Sequence, residues 1–105
     1  MKCIVALGAF LIVVTAVPVR AQNVPEQLKG AAFAQAICAE CHAVQAGQRR
    51  SPNGQAPTFE TVAETPGMTA IALTAILRTS HRAMPNIILA DDDLRNVITY
   101  ILSLK

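Results

Sequence analysis

The sequence predicts an all-α fold in one small domain. Apolar residues recur at helical spacing in several stretches, and no stretch alternates apolar and polar residues as a half-buried strand does. Glycine or proline marks the loops between these stretches, at residues 45–57, 65–67 and 79–90. Removing the first 21 of the 105 residues leaves 84, which is enough for one domain with a modest core.

The first 21 residues are predicted to be an export signal. Lys2 supplies a short positive region, residues 4–17 form a fourteen-residue apolar run, and Pro18 ends that run shortly before Ala21. A transmembrane anchor needs about 20 apolar residues. We therefore expect cleavage after Ala21, a folded domain over residues 22–105, no stable membrane insertion after cleavage and, in a bacterium, a periplasmic location.

The charge balance argues against one class of partner. The nine basic residues include Lys2 and Arg20, so cleavage leaves seven, which equals the seven acidic residues. The mature chain is therefore close to neutral. It also lacks a basic patch with interleaved aromatic residues, so nothing in the sequence indicates nucleic-acid binding.

The first predicted helix leads into a pair of cysteines. Asn23 is its expected N-cap, with Pro25 and Glu26 in the first turn. Its apolar face consists of Gly30, Phe33, Ala34, Ile37 and Cys41. A glycine within a helix lowers helix stability by about 1 kcal/mol relative to alanine. Its presence in this face is best explained if another helix crosses closely at that point.

The last predicted helix has the clearest pattern. Asp91, Asp92 and Asp93 complement the helix dipole at its start. The apolar stripe that follows consists of Leu94, Val97, Ile98 and Ile101.

Two shorter helices are predicted between the terminal ones. The first spans residues 58–64, and the second spans residues 69–78. The buried side of the second is expected to carry Ala70, Leu73, Ile76 and Leu77. The loop at 79–90 carries His81, Met84 and Pro85.

Residues 38–42, with the sequence Cys-Ala-Glu-Cys-His, have the spacing at which a c-type haem is attached. Thiols of Cys38 and Cys41, about one helical turn apart, can each form a thioether to one porphyrin. The imidazole of His42 then lies over the iron. We predict one thioether-linked haem c per chain, with Cys38, Cys41 and His42 as cofactor-binding residues and His42 as an iron ligand.

The cysteine pair allows three other interpretations. A thiol–disulfide redox site is typical of a strand–helix pattern, which is absent from this sequence. A zinc site needs about four nitrogen or sulfur ligands, and the mature chain offers only Cys38, Cys41, His42 and His81. A disulfide between Cys38 and Cys41 would close a very small loop and stabilise the fold little.

Met84 is the predicted second iron ligand. A methionine sulfur is a common partner of histidine in electron-transfer haems, and it raises the reduction potential relative to two imidazoles. Met84 lies in a loop just before Pro85, whose ring stiffens the backbone. Met68 is expected to fill a gap in the core, and His81 is the rival ligand. We also expect His42 to donate its other ring N–H to a carbonyl, that of Pro57 or of Pro52.

Together these residues resemble a class I cytochrome c of the small soluble bacterial type, over essentially all of residues 22–105. The resemblance is carried by Gly30 eight residues before Cys38, the motif at 38–42, a proline in the next loop, the segment 81–85 with Met84-Pro85, and the terminal helix. It implies a cytochrome c fold, with three to four helices around one covalently bound haem c. It also implies that the first and last helices cross, with Gly30 and Phe33 meeting the face of Val97, Tyr100 and Ile101.

The chain departs from that family pattern at two places. The position four residues before the first cysteine, aromatic in many members, is Ala34, and Phe33 stands one residue earlier. No tryptophan is present to bind a haem propionate. The polar residues available instead are Arg49, Arg50, Ser51, Asn53, Arg78 and Arg82.

The resulting expectation is a monomeric, periplasmic one-electron carrier that is not itself an enzyme. Redox protein partners would dock transiently at the haem edge, over a largely apolar surface made of Ala39, Ala43, Val44, Pro85 and Ile87. The alternatives are a dedicated cytochrome c subunit of a larger dehydrogenase or oxidase complex, and a haem sensor or peroxidatic protein with an open iron site. A filled coordination sphere leaves little room for a substrate, which favours electron transfer over catalysis.

Overall fold

The structure, a computed structural model, describes residues 24–79 and 83–105. Within those ranges it contains four α-helices and no strand, which confirms the predicted fold class. The helices are α1 (Glu26–Phe33), α2 (Phe59–Glu64), α3 (Ala70–Arg78) and α4 (Asp91–Leu102), and a π-helical turn (Ala34–Cys38) follows α1 directly. The predicted signal and the predicted N-cap Asn23 lie outside the described residues. Among the helices described, none is both long and apolar enough to span a membrane.

α1 begins at Glu26 because the extended Pro25 offers its carbonyl to the first turn. That oxygen accepts hydrogen bonds from the amides of Leu28, at 3.0 Å, and Lys29, at 3.1 Å. Pro25 is therefore the N-cap residue, and the prediction that it belongs to the first turn is wrong.

The first helix does not continue as an α-helix to the cysteine pair. The π-helical turn is closed by a 2.9 Å hydrogen bond from the Ala39 amide to the Ala34 carbonyl, five residues back. Such a turn holds about one more residue than an α-helical turn, so the side chains that follow are rotated about the axis. Gly30 and Ala34 are buried as predicted, but Ile37 is 45% exposed. The predicted single face is thus wrong beyond Ala34.

α1 and α4 are in close contact at Gly30, as expected. A Cβ atom at Gly30 would lie 1.9 Å from the backbone oxygen of Asn96 and 2.8 Å from Cβ of Tyr100. Outside this contact, Glu26 forms an exposed ion pair with Arg95 at 3.7 Å. The glycine is therefore required by the closeness of the helix crossing.

The core lies along α4. The predicted stripe Leu94, Val97, Ile98 and Ile101 is buried, and it packs with Ala34, Val44, Phe59, Ala63 and Leu73. At the start of α4, Asp91 pairs with Arg78 at 2.6 Å, and Asp92 pairs with Arg95. The acidic cluster is thus a helix start matched to the dipole and to neighbouring arginines.

Hydroxyl caps set the starts of the two short helices. The Thr58 side chain accepts from the Thr61 amide at 3.1 Å, and the Thr69 side chain accepts from the Ala72 amide at 3.2 Å. Each threonine is an N-cap, so each helix begins one residue later than predicted.

The predicted buried side of α3 is only partly correct. Leu73 is 1% exposed and faces α4, whereas Leu77 is half-buried and Ala70 and Ile76 are exposed. Leu73, Ile76 and Leu77 all line one cavity, but Leu73 also belongs to the buried core that includes residues of α4.

Candidate haem-binding site

All four predicted site residues line one cavity of about 750 Å³. Cys38 and Cys41 come from the π-helical turn and the residues after it, His42 follows directly, and Met84 comes from the loop before α4. The remaining wall is mostly apolar, with contributions from Phe33, Ile37, Leu73, Ile76, Leu77 and Val97 among others. A cavity of this size, largely apolar with few polar groups, is typical of small-molecule and cofactor sites.

The His42 ring is fixed by the predicted carbonyl. Its Nδ1 atom lies 2.7 Å from the backbone oxygen of Pro57. A carbonyl oxygen can only accept, so Nδ1 carries the proton and Nε2 keeps its lone pair free for a metal. The structure thereby confirms Pro57, and not Pro52, as the acceptor.

The His42 ring also has an aromatic neighbour that is not among the predicted site residues. The Phe59 ring lies 5.5 Å from the His42 ring, centroid to centroid, at an interplanar angle of 52°. Phe59 in turn contacts Tyr100 of α4 at 6.5 Å. These contacts connect His42 to the core. Local sequence patterns do not predict them, because they join residues that are distant in the sequence.

The two residues after His42 are held from several sides. The Ala43 amide donates to Ser51 Oγ at 2.9 Å, and the Phe59 amide donates to the Ala43 carbonyl at 2.9 Å. The Tyr100 hydroxyl donates to the Val44 carbonyl at 2.5 Å. Ala43 and Val44 are each only 2% exposed. Their predicted place on a docking surface is therefore wrong, because both side chains lie in the interior.

Two methionines line the cavity. Met84 is half-buried and lies in a segment without helical structure. Met68 is half-buried against the core, and its backbone is bound at both ends, through its amide to Thr65 and through its carbonyl to Lys105 Nζ at 3.0 Å. The rival ligand His81 lies outside the described residues.

Comparison with known proteins identifies the family. A family model described as cytochrome c oxidase, cbb3-type, subunit III, matches residues 25–101, well over half of the chain. The chain belongs to this family of cytochrome c domains. No curated protein and no solved structure was found to match it. Family membership implies a covalently bound haem c and haem-based electron transfer.

The cysteine geometry fits the attachment of haem in a cytochrome c domain. Cys38 and Cys41 are unbridged and half-buried, and the Cys41 amide donates to the Cys38 carbonyl at 3.2 Å. Burial raises the pKa of the Cys38 thiol to about 11. A thiol–disulfide redox site depends on a thiolate of lowered pKa, so this environment argues against that alternative. Within the described ranges, no group of three or more His, Cys, Asp and Glu residues is placed to hold a metal ion such as zinc.

The polar part of the cytochrome c cavity is small. Among the described lining residues, Glu40 is the one acidic or basic side chain besides His42, and Asn53 and Gln55 supply amides. Of the residues considered for the haem propionates, Asn53 lines the cavity, whereas Arg49, Arg50 and Arg78 do not. Arg82 lies outside the described residues, and Ser51 is engaged with the Ala43 amide.

Proposed function

We propose that this protein is a soluble, periplasmic one-electron carrier of the class I type, with one haem c bound through Cys38 and Cys41 and ligated by His42 and Met84. The observation that carries the proposal is that two thiols, an oriented imidazole and a thioether line the same cavity. Bound haem iron supplies one-electron chemistry by changing between the ferrous and ferric states. The proposal includes export by residues 1–21 and no enzymatic activity of the chain itself.

The residues of the chain would act by orientation and by exclusion of water. Pro57 holds the His42 proton at Nδ1, so the Nε2 lone pair stays directed away from that carbonyl. The apolar wall of the cavity would keep water from a bound haem and would disfavour its more highly charged oxidised state. A methionine sulfur raises the potential further relative to a second imidazole. With His42 and Met84 both bound to the iron, little room would remain for a substrate, which favours electron transfer over catalysis.

Replacing Met84 with alanine tests the ligand assignment. We expect the oxidised holoprotein to lose the weak red absorption band that arises from sulfur bound to ferric iron, because the other methionine that lines the cavity, Met68, is packed against the core. Visible spectra of the oxidised and reduced protein are the measurement. Met68→Ala is the matched control, because Met68 lines the same cavity but is held against the core, and it should leave the band intact.

Two results would contradict the assignment. A band that survives in Met84→Ala would shift the second ligand to another residue, with His81 as the first candidate. A high-spin spectrum of the unsubstituted protein, with fast carbon monoxide binding when reduced, would favour the open-site alternative.

The proposed docking surface is apolar and lies beside Met84. Pro85 is exposed, Ile87 is half-buried, and Ile88 is 93% exposed. Together with the half-buried Ala39, Pro85 and Ile87 are the part of the predicted surface that the structure leaves accessible. A near-neutral mature chain, with seven basic and seven acidic residues after removal of Lys2 and Arg20, offers little electrostatic steering.

We expect Ile88→Gln to slow electron transfer to a physiological redox partner by about three- to tenfold, because an exposed apolar contact is lost. The second-order rate constant from stopped-flow mixing is the measurement. Ile71→Gln is the matched control: Ile71 is 84% exposed, but it lies on α3, outside the segment that contains Met84, Pro85 and Ile87. A steep fall of the rate with added salt, of the order of 10-fold or more, would contradict an apolar interface and indicate steering by charge.

A dedicated subunit of an oxidase complex is the second candidate. It is favoured by the description of the matching family, whose name is that of a subunit. Gel filtration and co-purification from the native membrane and soluble fractions distinguish the two. A stable high-mass assembly supports the subunit, and a monomer in the soluble fraction supports the free carrier.

A further inference from the structure

The polar groups just after His42 are bound from three separate parts of the chain. Ser51 accepts from the Ala43 amide, the Phe59 amide donates to the Ala43 carbonyl, and Tyr100 donates to the Val44 carbonyl. These bonds span 8, 16 and 56 residues respectively. Because Ala43 and Val44 are both buried, the backbone groups concerned have little access to water as an alternative partner.

Tyr100 connects this segment to the helix crossing. Its Cβ atom is one of the closest atoms to the position that a Cβ at Gly30 would take, 2.8 Å away. Its ring contacts Phe59 at 6.5 Å and 55°, and the Phe59 ring contacts His42. One side chain thus contacts the α1–α4 crossing, the aromatic neighbour of the imidazole and the backbone two residues after it.

The hydroxyl of Tyr100 is a donor over the whole physiological pH range. Burial, and then the nearby Glu60 carboxylate, raise the pKa of this group above its ordinary value. The Val44 carbonyl can only accept, so the proton lies on the tyrosine oxygen.

We infer that Tyr100 and Ser51 are positioning residues for His42, which hold the backbone after the axial ligand in place and thereby couple the orientation of its imidazole to the crossing of α1 and α4. The inference rests on the proposed function, because it concerns the ligand that function requires. Neither Ser51 nor Tyr100 is among the residues that line the cavity. They act through the segment 42–44.

The test uses the holoprotein with Tyr100→Phe and Ser51→Ala, each of which removes one hydroxyl and keeps most of the packing. The first readout is the set of hyperfine-shifted proton NMR signals of the His42 ring in the ferric protein, which report imidazole orientation. The second is hydrogen exchange of the Phe59 amide, which is bonded to Ala43. Thr69→Ala is the control, because the hydrogen bond that it removes, from the Ala72 amide to the Thr69 hydroxyl, lies at the start of α3 and does not involve residues 42–44. Ser51→Thr keeps a hydroxyl and serves as a rescue variant.

We expect Tyr100→Phe and Ser51→Ala each to displace the His42 signals and to accelerate Phe59 amide exchange about fivefold, the factor that corresponds to one neutral hydrogen bond. Thr69→Ala should lower the unfolding midpoint without moving the His42 signals. In Ser51→Thr, which keeps a hydroxyl, the His42 signals should lie at the positions of the unsubstituted protein. If Tyr100→Phe yields no folded holoprotein, Ser51→Ala decides, because Ser51 lies in a loop outside the helix crossing.

Unmoved His42 signals in the hydroxyl variants would overturn the inference, as would an equal displacement in Thr69→Ala. These results differ from a failure of the proposed function. In that case the unsubstituted protein itself would lack a low-spin spectrum with histidine and methionine ligands.

Discussion

Replacing Gly30 with alanine is expected to destabilise the holoprotein by about 3 kcal/mol or more, at the upper end of what overpacking costs. The new Cβ atom would lie 1.9 Å from the oxygen and 2.5 Å from the carbonyl carbon of Asn96. Both are backbone atoms of α4, so they cannot move aside without moving the helix. Since the free energy of unfolding of small domains is about 5–15 kcal/mol, this loss would be a large part of it.

The sign of this effect is opposite to that of helix propensity. Within a helix, alanine is favoured over glycine by about 1 kcal/mol, so an isolated α1 would gain from the change. The closeness of the crossing therefore decides the outcome. The change in the free energy of unfolding can be measured by urea unfolding followed by circular dichroism.

Gly54→Ala is the matched control for the Gly30 prediction. A Cβ atom at Gly54 would have no neighbour within 4 Å, and the backbone there is not left-handed. This variant should unfold at the same urea concentration as the unsubstituted protein. An unchanged midpoint for Gly30→Ala would show that α1 and α4 do not cross at this glycine in solution.

The double substitution Cys38→Ser and Cys41→Ser is expected to leave the chain largely unfolded. The cavity of about 750 Å³ is lined by residues of the π-helical turn, α2, α3 and α4. Without a covalently held apolar body against these walls, a chain of this length has only a small core. A group that binds only the folded state stabilises that state, so its loss has the opposite effect.

The expected readout is a loss of most of the helical circular dichroism signal and of cooperative unfolding. The exchange of sulfur for oxygen is itself a small change, so a large effect must come from the missing attachment. The single variant Cys38→Ser is the control, because Cys41 and His42 remain, and it should fold with reduced stability. Native-like helix content in the double variant would mean that the protein part folds by itself.

How far the sequence predicts the fold depends on the range of each interaction. The stripe Leu94, Val97, Ile98 and Ile101 was predicted correctly, because helical periodicity is a local property. The face through Ile37 was not, because a π-helical turn at Ala34–Cys38 rotates the side chains that follow it. The single extra residue in that turn has no compositional signature.

The candidate site divides in the same way. The cysteine pair, His42 and Met84 were chosen from spacing and loop position, and the cavity brings all four together. The exposed placement of Ala43 and Val44 was wrong, and the contributions of Ser51, Phe59 and Tyr100 were missed. Each of those errors concerns a contact between distant parts of the chain.

The sequence by itself thus determined the all-α class, the last helix, the haem-attachment motif and the close crossing at Gly30. Only the tertiary structure decided which carbonyl orients His42, which residues line the cavity, and that Tyr100 reaches the backbone next to the ligand. The physical reason is that spacing and periodicity record interactions within one or two turns. A hydrogen bond between residues 56 positions apart leaves no such pattern.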